Sequence, residues 1–325
     1  MTACGDQVAS NDLVVYSARK EHLIKPLFDQ FTAETGIQVR YVTDAAGPLL
    51  TRLQAEGEQS QADILMTVDA GNLWQAAELG VLSPVESSIL EKNVPSNLQD
   101  PENRWFALTI RARTIVYATD RVKPEEMSTY EALADKTWAG RVCLRTSKKV
   151  YNQSLVATMI AALGEQVVEK VVTGWVENLA LQPFSNDTKV MEAIAVGQCD
   201  VGIVNSYYYG RLMKQRPELK LALFWPNQFG DQSTGRGVHV NVSAAGITRV
   251  SHKKEQAIKL LEWLSEPKAQ QLLMELNQEY PVNPTIKYLP EIASWGEFKA
   301  DSINVSEAGR LQTAAVKLMD RSGYR

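Results

Sequence analysis

The sequence lacks a long apolar run and has few histidines and cysteines. No stretch of about 18 apolar residues occurs in its 325 residues, so no transmembrane helix is expected. The three histidines have no partner at metal-ligand spacing, and the three cysteines fit no zinc motif. The formal net charge is −4, whereas nucleic-acid-binding domains usually carry a basic excess. These features argue against a membrane span, a zinc site and a nucleic-acid partner.

Sequence motifs of the common enzyme classes are also missing. There is no Walker phosphate-binding loop, no glycine-rich dinucleotide turn, no nucleophile elbow and no zinc-protease helix. Carboxylate pairs occur only as ordinary charges on predicted helix surfaces. An enzyme could use tyrosine and arginine on an anionic substrate, but no base or nucleophile is visible. We therefore predict that the chain is not an enzyme.

Apolar periodicity predicts an α/β fold. Strand-like runs alternate with amphipathic helical segments from residue 13 onward, and the same rhythm restarts after residue 105. This order is typical of a mostly parallel sheet flanked by helices. Two long extended runs, 105–119 and 237–248, are candidates for strands that cross between two lobes.

The crossing strands would make each lobe discontinuous in sequence. The first lobe is expected to contain 12–110 and 240–285, and the second 111–239 and 286–325. Residues 1–11 are polar and are expected to form a tether.

The cysteines allow two interpretations each. Thr-Ala-Cys-Gly-Asp at 2–6 resembles the end of a bacterial lipoprotein signal, in which Cys4 would receive the lipid. The alternative is a cytosolic protein with a chance cysteine near its end. Cys143 and Cys199 lie in or beside predicted strands and could form a disulfide in an oxidising compartment, or they could be two buried free thiols.

A tyrosine triplet follows the predicted strand 201–205. Asn205 and Ser206 are capping candidates for the helix that begins there. A helix N-terminus favours negative charge, and therefore favours phenolate over phenol at Tyr207 and Tyr208. Phenolate is a hard oxygen donor that suits Fe³⁺. The alternative is that these rings pack a lobe interface and keep their hydroxyls in water.

Arg111 and Arg113 lie two residues apart on the first extended run. Their side chains should therefore face the same side of a strand. Two guanidinium groups on one face can bind an oxyanion through forked hydrogen bonds, although both could instead be solvated at the surface. Asp69, which follows another predicted strand, is expected to cap the next helix.

Seven stretches in a fixed order give the chain a specific resemblance. They include Tyr-Ser-Ala-Arg-Lys-Glu at 16–21, Arg-Ala-Arg-Thr at 111–114 and Asn-Ser-Tyr-Tyr-Tyr at 205–209. The others lie at 53–57, 62–71, 151–155 and 279–284. Together they cover nearly the whole chain from residue 12. The chain resembles the ferric-ion-binding proteins of bacterial ABC iron importers, in the branch of the cyanobacterial iron-uptake binding proteins.

The resemblance implies a two-lobed periplasmic-binding-protein fold of class II, which closes around Fe³⁺ by a hinge of two crossing strands. Tyr207 and Tyr208 match direct iron ligands, and Tyr151 matches a further one. Arg111 or Arg113 matches an arginine that holds carbonate or another synergistic anion, and Arg211 matches an arginine beside the tyrosines. Arg19 and Asn205, at two strand ends, are expected to bind the anion or support the ligands.

The chain departs from the family pattern at the first-lobe turn. Many relatives place histidine and then histidine or tyrosine there as ligands, whereas this chain has Lys20 and Glu21. Glu21 is a hard oxygen donor that could bind the ion, but it could equally point to solvent.

The resemblance predicts a monomeric iron-binding protein of the periplasm that delivers Fe³⁺ to the membrane permease of an ABC importer. A lipid anchor at Cys4 would be its contact with the membrane. The alternative is a binding protein of the same fold for an oxyanion or a polyamine, in which the arginines bind the solute.

Overall fold

The computed structural model describes residues 12–231 and 233–325. The expected tether 1–11 and the lipidation candidate Cys4 lie outside these residues. No helix among the described residues combines the length and the apolar character that a membrane crossing needs.

The described residues form an alternating series of strands and helices. The strands are β1 (Leu13–Ser17), β2 (Val39–Thr43), β3 (Ile64–Val68), β4 (Leu82–Ser83), β5 (Phe106–Ala118), β6 (Val142–Cys143), β7 (Val201–Asn205), β8 (Leu221–Phe224), β9 (Val240–Thr248) and β10 (Tyr280–Pro281). The helices are α1 (Glu21–Thr35), α2 (Ala46–Glu56), α3 (Ala70–Glu78), α4 (Ser88–Asn93), α5 (Val150–Leu163), α6 (Glu165–Glu177), α7 (Asp187–Ala195), α8 (Ser206–Gln215), α9 (Lys254–Ser265), α10 (Pro267–Asn277), α11 (Pro290–Ala293), α12 (Glu307–Arg310) and α13 (Gln312–Arg321). Short 3₁₀ helices lie at Gly57–Gln59, Ser96–Leu98, Pro124–Glu126, Glu131–Ala134 and Lys136–Trp138.

Two long strands connect the two halves of the sheet, whose order is β2-β1-β3-β9-β5-β7-β6. β1 runs parallel to β2 and β3, and β6 runs parallel to β7. β5 pairs with β9 through its first half and with β7 and β8 through its second half. The predicted two-lobed α/β fold is confirmed. Its sheet is mixed rather than mostly parallel, because β5 and β9 run antiparallel to their neighbours.

Most buried apolar side chains form cores on either side of the crossing strands, and one small cluster around Tyr280 has members from both sides. One core draws on residues 13–108 and 240–282 together with Val305. Two further clusters draw on 115–221 and 315–324. We therefore propose the lobes expected from the sequence, 12–110 with 240–285 and 111–239 with 286–325. Helix α12 packs against both α3 of the first lobe and α5 of the second.

A disulfide joins Cys143 on β6 to Cys199, which precedes β7. The two cysteines are 56 residues apart in sequence, and their Cα atoms lie 6.0 Å apart. Because the bond restricts the unfolded chain, replacing both cysteines with serine should lower the free energy of unfolding by about 4 kcal/mol. Urea unfolding of both proteins at neutral pH would measure this change. An unchanged midpoint and slope would contradict it.

Candidate metal centre

Three tyrosines of the second lobe lie at the beginnings of two helices. Tyr207 and Tyr208 are in the first turn of α8, directly after β7, and their ring centres are 4.4 Å apart. Tyr151 is the second residue of α5, and it lies close enough to Tyr207 for its charge to raise the pKa of Tyr207. The structure thus brings together the three tyrosines that the sequence analysis selected. Each lies where a helix N-terminus favours a negatively charged oxygen.

Burial keeps Tyr207 a neutral phenol when no cation is present. Burial raises the pKa of Tyr207 well above its ordinary value, the charges of Tyr151 and Tyr208 raise it further, and Arg111 opposes the shift. A bound metal ion reverses this balance, because it stabilises the phenolate directly. The cluster is therefore suited to release protons when it binds a cation.

Arg111 lies above the tyrosines and retains a donor without a partner. Its guanidinium carbon is 5.5 Å from the centre of the Tyr151 ring. Nη2 donates to the Val242 carbonyl at 2.7 Å, and Nη1 donates to Ser243 Oγ at 3.1 Å. Within the described residues, its buried Nε has no hydrogen-bond partner. Arg111 is therefore placed to bind an anion beside the tyrosines.

Arg19 shares a buried counterion with Arg111. Arg19 is 3.2 Å from Glu279, and its guanidinium also donates to Ser243 and Asn277. Arg111 is 3.8 Å from the same carboxylate. Burial raises the pKa of Glu279, but Arg19 and Arg111 outweigh it and hold that pKa below its usual range. Two guanidinium groups and one carboxylate leave a net positive charge next to the tyrosines.

Arg113 faces the same side of β5 but binds only protein groups. Its guanidinium donates to Asn152 at 3.0 Å, to Asp187 at 3.1 Å and to Asn205 at 3.0 Å. It also donates to the Ile203 carbonyl at 3.2 Å. The arrangement suits a residue that supports the ligands, and it leaves Arg111 as the anion-binding candidate of this pair.

Asn205 occupies the N-cap position of α8 without capping it through its side chain. Its Oδ1 accepts from Arg113, and its Nδ2 lies 3.3 Å from the Tyr207 hydroxyl. Asn205 therefore links Arg113 to a tyrosine ligand candidate.

Asp69 caps α3, as the sequence predicts. Its Oδ1 accepts a hydrogen bond from the Gly71 amide at 2.9 Å.

Two hydrogen bonds connect the lobes beside the tyrosines. Arg211, whose guanidinium lies 4.9 Å from the Tyr207 ring centre, donates to the Asn277 carbonyl at 3.1 Å. Ser154, one helical turn after Tyr151, lies within 2.9 Å of both carboxylate oxygens of Asp69. Any separation of the lobes at these points must break these bonds.

Glu21 does not contact the tyrosine cluster. It is exposed at the beginning of α1, and its Oε1 accepts a hydrogen bond from the Tyr41 hydroxyl at 2.9 Å. Lys20 is exposed as well. Across 12–231 and 233–325, no group of three or more His, Cys, Asp or Glu side chains could hold a metal ion.

Sequence reasoning missed two charged residues at this site. Arg145 lies between β6 and α5, and its guanidinium carbon is 5.2 Å from the centre of the Tyr151 ring at the beginning of α5. Asp187, the first residue of α7, is fully buried between Arg113 and Arg145. An acidic residue in the first turn of a helix is common, so the position of Asp187 along the chain does not indicate this role.

The fold is that of an extracellular solute-binding protein. The chain belongs to the bacterial extracellular solute-binding protein family, whose model matches residues 26–300.

Individual relatives are similar to the chain over nearly its whole length. The chain is 42% identical over 320 residues to Iron uptake protein A1 of a Synechocystis species, covering 97% of this chain and 88% of that protein. The solved structure of Trichodesmium FutA (IdiA) in complex with iron and citrate has a TM-score of 0.92 and 42% identity, covering 97% and 100% of the two chains. Ferric iron-binding protein A of Mannheimia haemolytica, in an open conformation, has a TM-score of 0.89 and 37% identity, covering 97% and 99%.

Proposed function

We propose that this protein binds Fe³⁺ through the phenolate oxygens of Tyr151, Tyr207 and Tyr208. It delivers the ion in the periplasm to the membrane permease of an ABC importer. The observation that carries the proposal is the meeting of three tyrosines from two helix N-termini in one cluster, in which Tyr207 is buried and Tyr151 and Tyr208 are half-buried. The relatives named for iron uptake or solved with iron support the iron-binding part of the proposal.

The chemistry of the cluster matches a hard trivalent ion. Three phenolates carry three negative charges and balance Fe³⁺, and their oxygens are hard donors. Arg111, with its unpartnered Nε, is placed to hold carbonate or another anion that completes the coordination. Glu21 is the candidate ligand from the first lobe, and it would have to exchange its bond with Tyr41 for the ion.

Movement of the lobes about β5 and β9 supplies the mechanism of capture and release. Hinge closure of this kind uses a few residues of the connecting strands and leaves each lobe rigid. The Asp69–Ser154 and Arg211–Asn277 bonds would form and break with that movement. The permease receives the ion when the lobes separate.

The proposal is tested by titrating the metal-free protein with ferric citrate and recording the visible spectrum. Charge transfer from phenolate to Fe³⁺ should produce an absorption band that saturates at one iron per chain. If no band appears and the iron stays on the citrate, the proposal fails. Binding of phosphate or a polyamine without metal would then favour the alternative solute-binding function.

A further inference from the structure

A single buried cation lies beside one tyrosine and acts through its charge on a second tyrosine of another helix. This cation is Arg145, which lies between β6 and α5 and is nearly inaccessible to solvent. Its guanidinium carbon is 5.2 Å from the Tyr151 ring centre. Burial lowers the pKa of Arg145, whereas the charges of Asp187, Tyr208 and Tyr151 raise it, so Tyr208 on α8 also acts on this guanidinium. Arg145 therefore interacts with two of the three proposed ligands.

The position of Arg145 is fixed by Asp187. Its Nη1 donates to Asp187 Oδ1 at 3.4 Å, while Asp187 Oδ2 accepts from Arg113 at 3.1 Å and from the Asn205 amide at 2.9 Å. The Arg145 carbonyl accepts from Asn152 Nδ2 at 2.8 Å, so the backbone is held as well. Side chain and backbone are both anchored in the second lobe.

The charges around Asp187 do not balance within the protein. One buried carboxylate faces two buried guanidinium groups, Arg113 and Arg145, and a buried charge without compensation is strongly unfavourable. The Nε of Arg145 has no hydrogen-bond partner among the described residues. Phenolate oxygens at Tyr151 and Tyr208 would lie beside this excess positive charge when the ion is bound.

We infer that Arg145, anchored by Asp187, is a positioning residue that holds Tyr151 and Tyr208 at one ion and offsets the negative charge of these ligands. This inference rests on the proposed function. A guanidinium group can serve two oxygens from a fixed plane, whereas an ammonium group supplies charge without that geometry. Arg145→Gln removes both contributions, and Arg145→Lys removes only the geometric one.

The test compares these two variants with the wild-type protein in citrate competition and in the visible spectrum of the ferric complex. Because charge-assisted hydrogen bonds are the strong ones, Arg145→Gln should weaken Fe³⁺ binding about tenfold or more. Its charge-transfer band should move to longer wavelength, because the phenolates lose an electron-withdrawing partner. Arg145→Lys should have an intermediate affinity.

Arg141 provides a matched control. Its guanidinium carbon lies 4.8 Å from the Trp138 ring centre, and its Nε lies 2.7 Å from Asp200, so it has both an aromatic and an acidic partner away from the tyrosines. Arg141→Gln should leave the affinity and the band unchanged.

The outcomes separate the inference from the proposed function. If the wild-type protein forms the band and both Arg145 variants match it in affinity and wavelength, the inference is wrong and the function stands. If the wild-type protein forms no band, both fail. If circular dichroism shows that Arg145→Gln does not fold, the test rests on Arg145→Lys. Affinity and an absorption band equal to those of the wild-type protein would overturn the inference, and weaker Fe³⁺ binding would support it.

Discussion

Replacing Tyr207 and Tyr208 together with phenylalanine is expected to abolish Fe³⁺ binding. The double variant keeps both rings and their packing but removes two of the three phenolate oxygens. Loss of a residue that only supports a metal ligand already costs 10–100-fold in affinity, so loss of one ligand should cost at least about a hundredfold. The visible titration with ferric citrate, carried out on each single variant and on the double variant, measures these losses.

Tyr209 is the control for this experiment. It belongs to the same triplet, but its hydroxyl lies 3.3 Å from the Leu221 carbonyl, and its ring packs against Trp295. Tyr209→Phe should bind Fe³⁺ as the wild-type protein does. Normal binding by the double variant, or loss of binding in Tyr209→Phe alone, would show that the ligands have been assigned wrongly.

The order of elements could be predicted because it depends on local patterns. The run 201–204 is apolar and is followed by the polar residues Asn205 and Ser206, and the structure has β7 and then α8 there. The extended run 105–119 corresponds to β5, whose length in itself implies a strand that serves both halves of the sheet. Tyr207 and Tyr208 could be found for the same reason, since they are adjacent in sequence, whereas Tyr151 is expected only from the family resemblance.

The different roles of Arg111, the anion-binding candidate, and Arg113, which supports the ligands, could not be predicted. Both have the same side chain and face the same side of β5, so alternation in a strand cannot distinguish them. The difference comes from partners distant in sequence: Arg113 meets Asp187, 74 residues away, whereas Arg111 meets Ser243, 132 residues away. Only the folded chain brings these acceptors into contact.

The amphipathic segment at 306–318, near the end of the chain, shows a similar limit of prediction from local patterns. The periodicity predicts one helix near 306–318, but the structure has α12 and α13 with a break at Leu311. Gly309 lies so close to Trp74 on α3 that an added Cβ would approach it to 2.5 Å. Close packing between distant segments therefore sets the position of α12. The spacing of apolar residues does not predict this position.

Acid is expected to destabilise the protein through His239. This histidine immediately precedes β9, is buried, and has its Nδ1 2.9 Å from Thr158 Oγ1. Burial, together with the positive charges of Arg113, Arg236 and Arg111, lowers the pKa of His239 to about 3.

The sign of the effect follows from the two pKa values of this residue. The unfolded chain takes up a proton near pH 6.5, whereas the folded protein takes it up only near pH 3. The stabilising contribution of neutral His239 is complete above pH 6.5 and is lost as the pH falls toward 3. At 1.36 kcal/mol per unit, the full loss is roughly 5 kcal/mol, of which roughly 3 kcal/mol falls between pH 7 and pH 4.

Urea unfolding at pH 7 and pH 4 measures this loss, with His239→Gln as the variant that cannot take up the proton. From pH 7 to pH 4, the unfolding free energy of the wild-type protein should fall by roughly 3 kcal/mol more than that of the variant. His22→Gln is the control, because His22 is exposed on α1 and water surrounds it in both states. A constant difference between wild type and His239→Gln would mean that water or a rearrangement accommodates the charged imidazole inside the folded protein. The hinge region would then be more open than the contacts of His239 indicate.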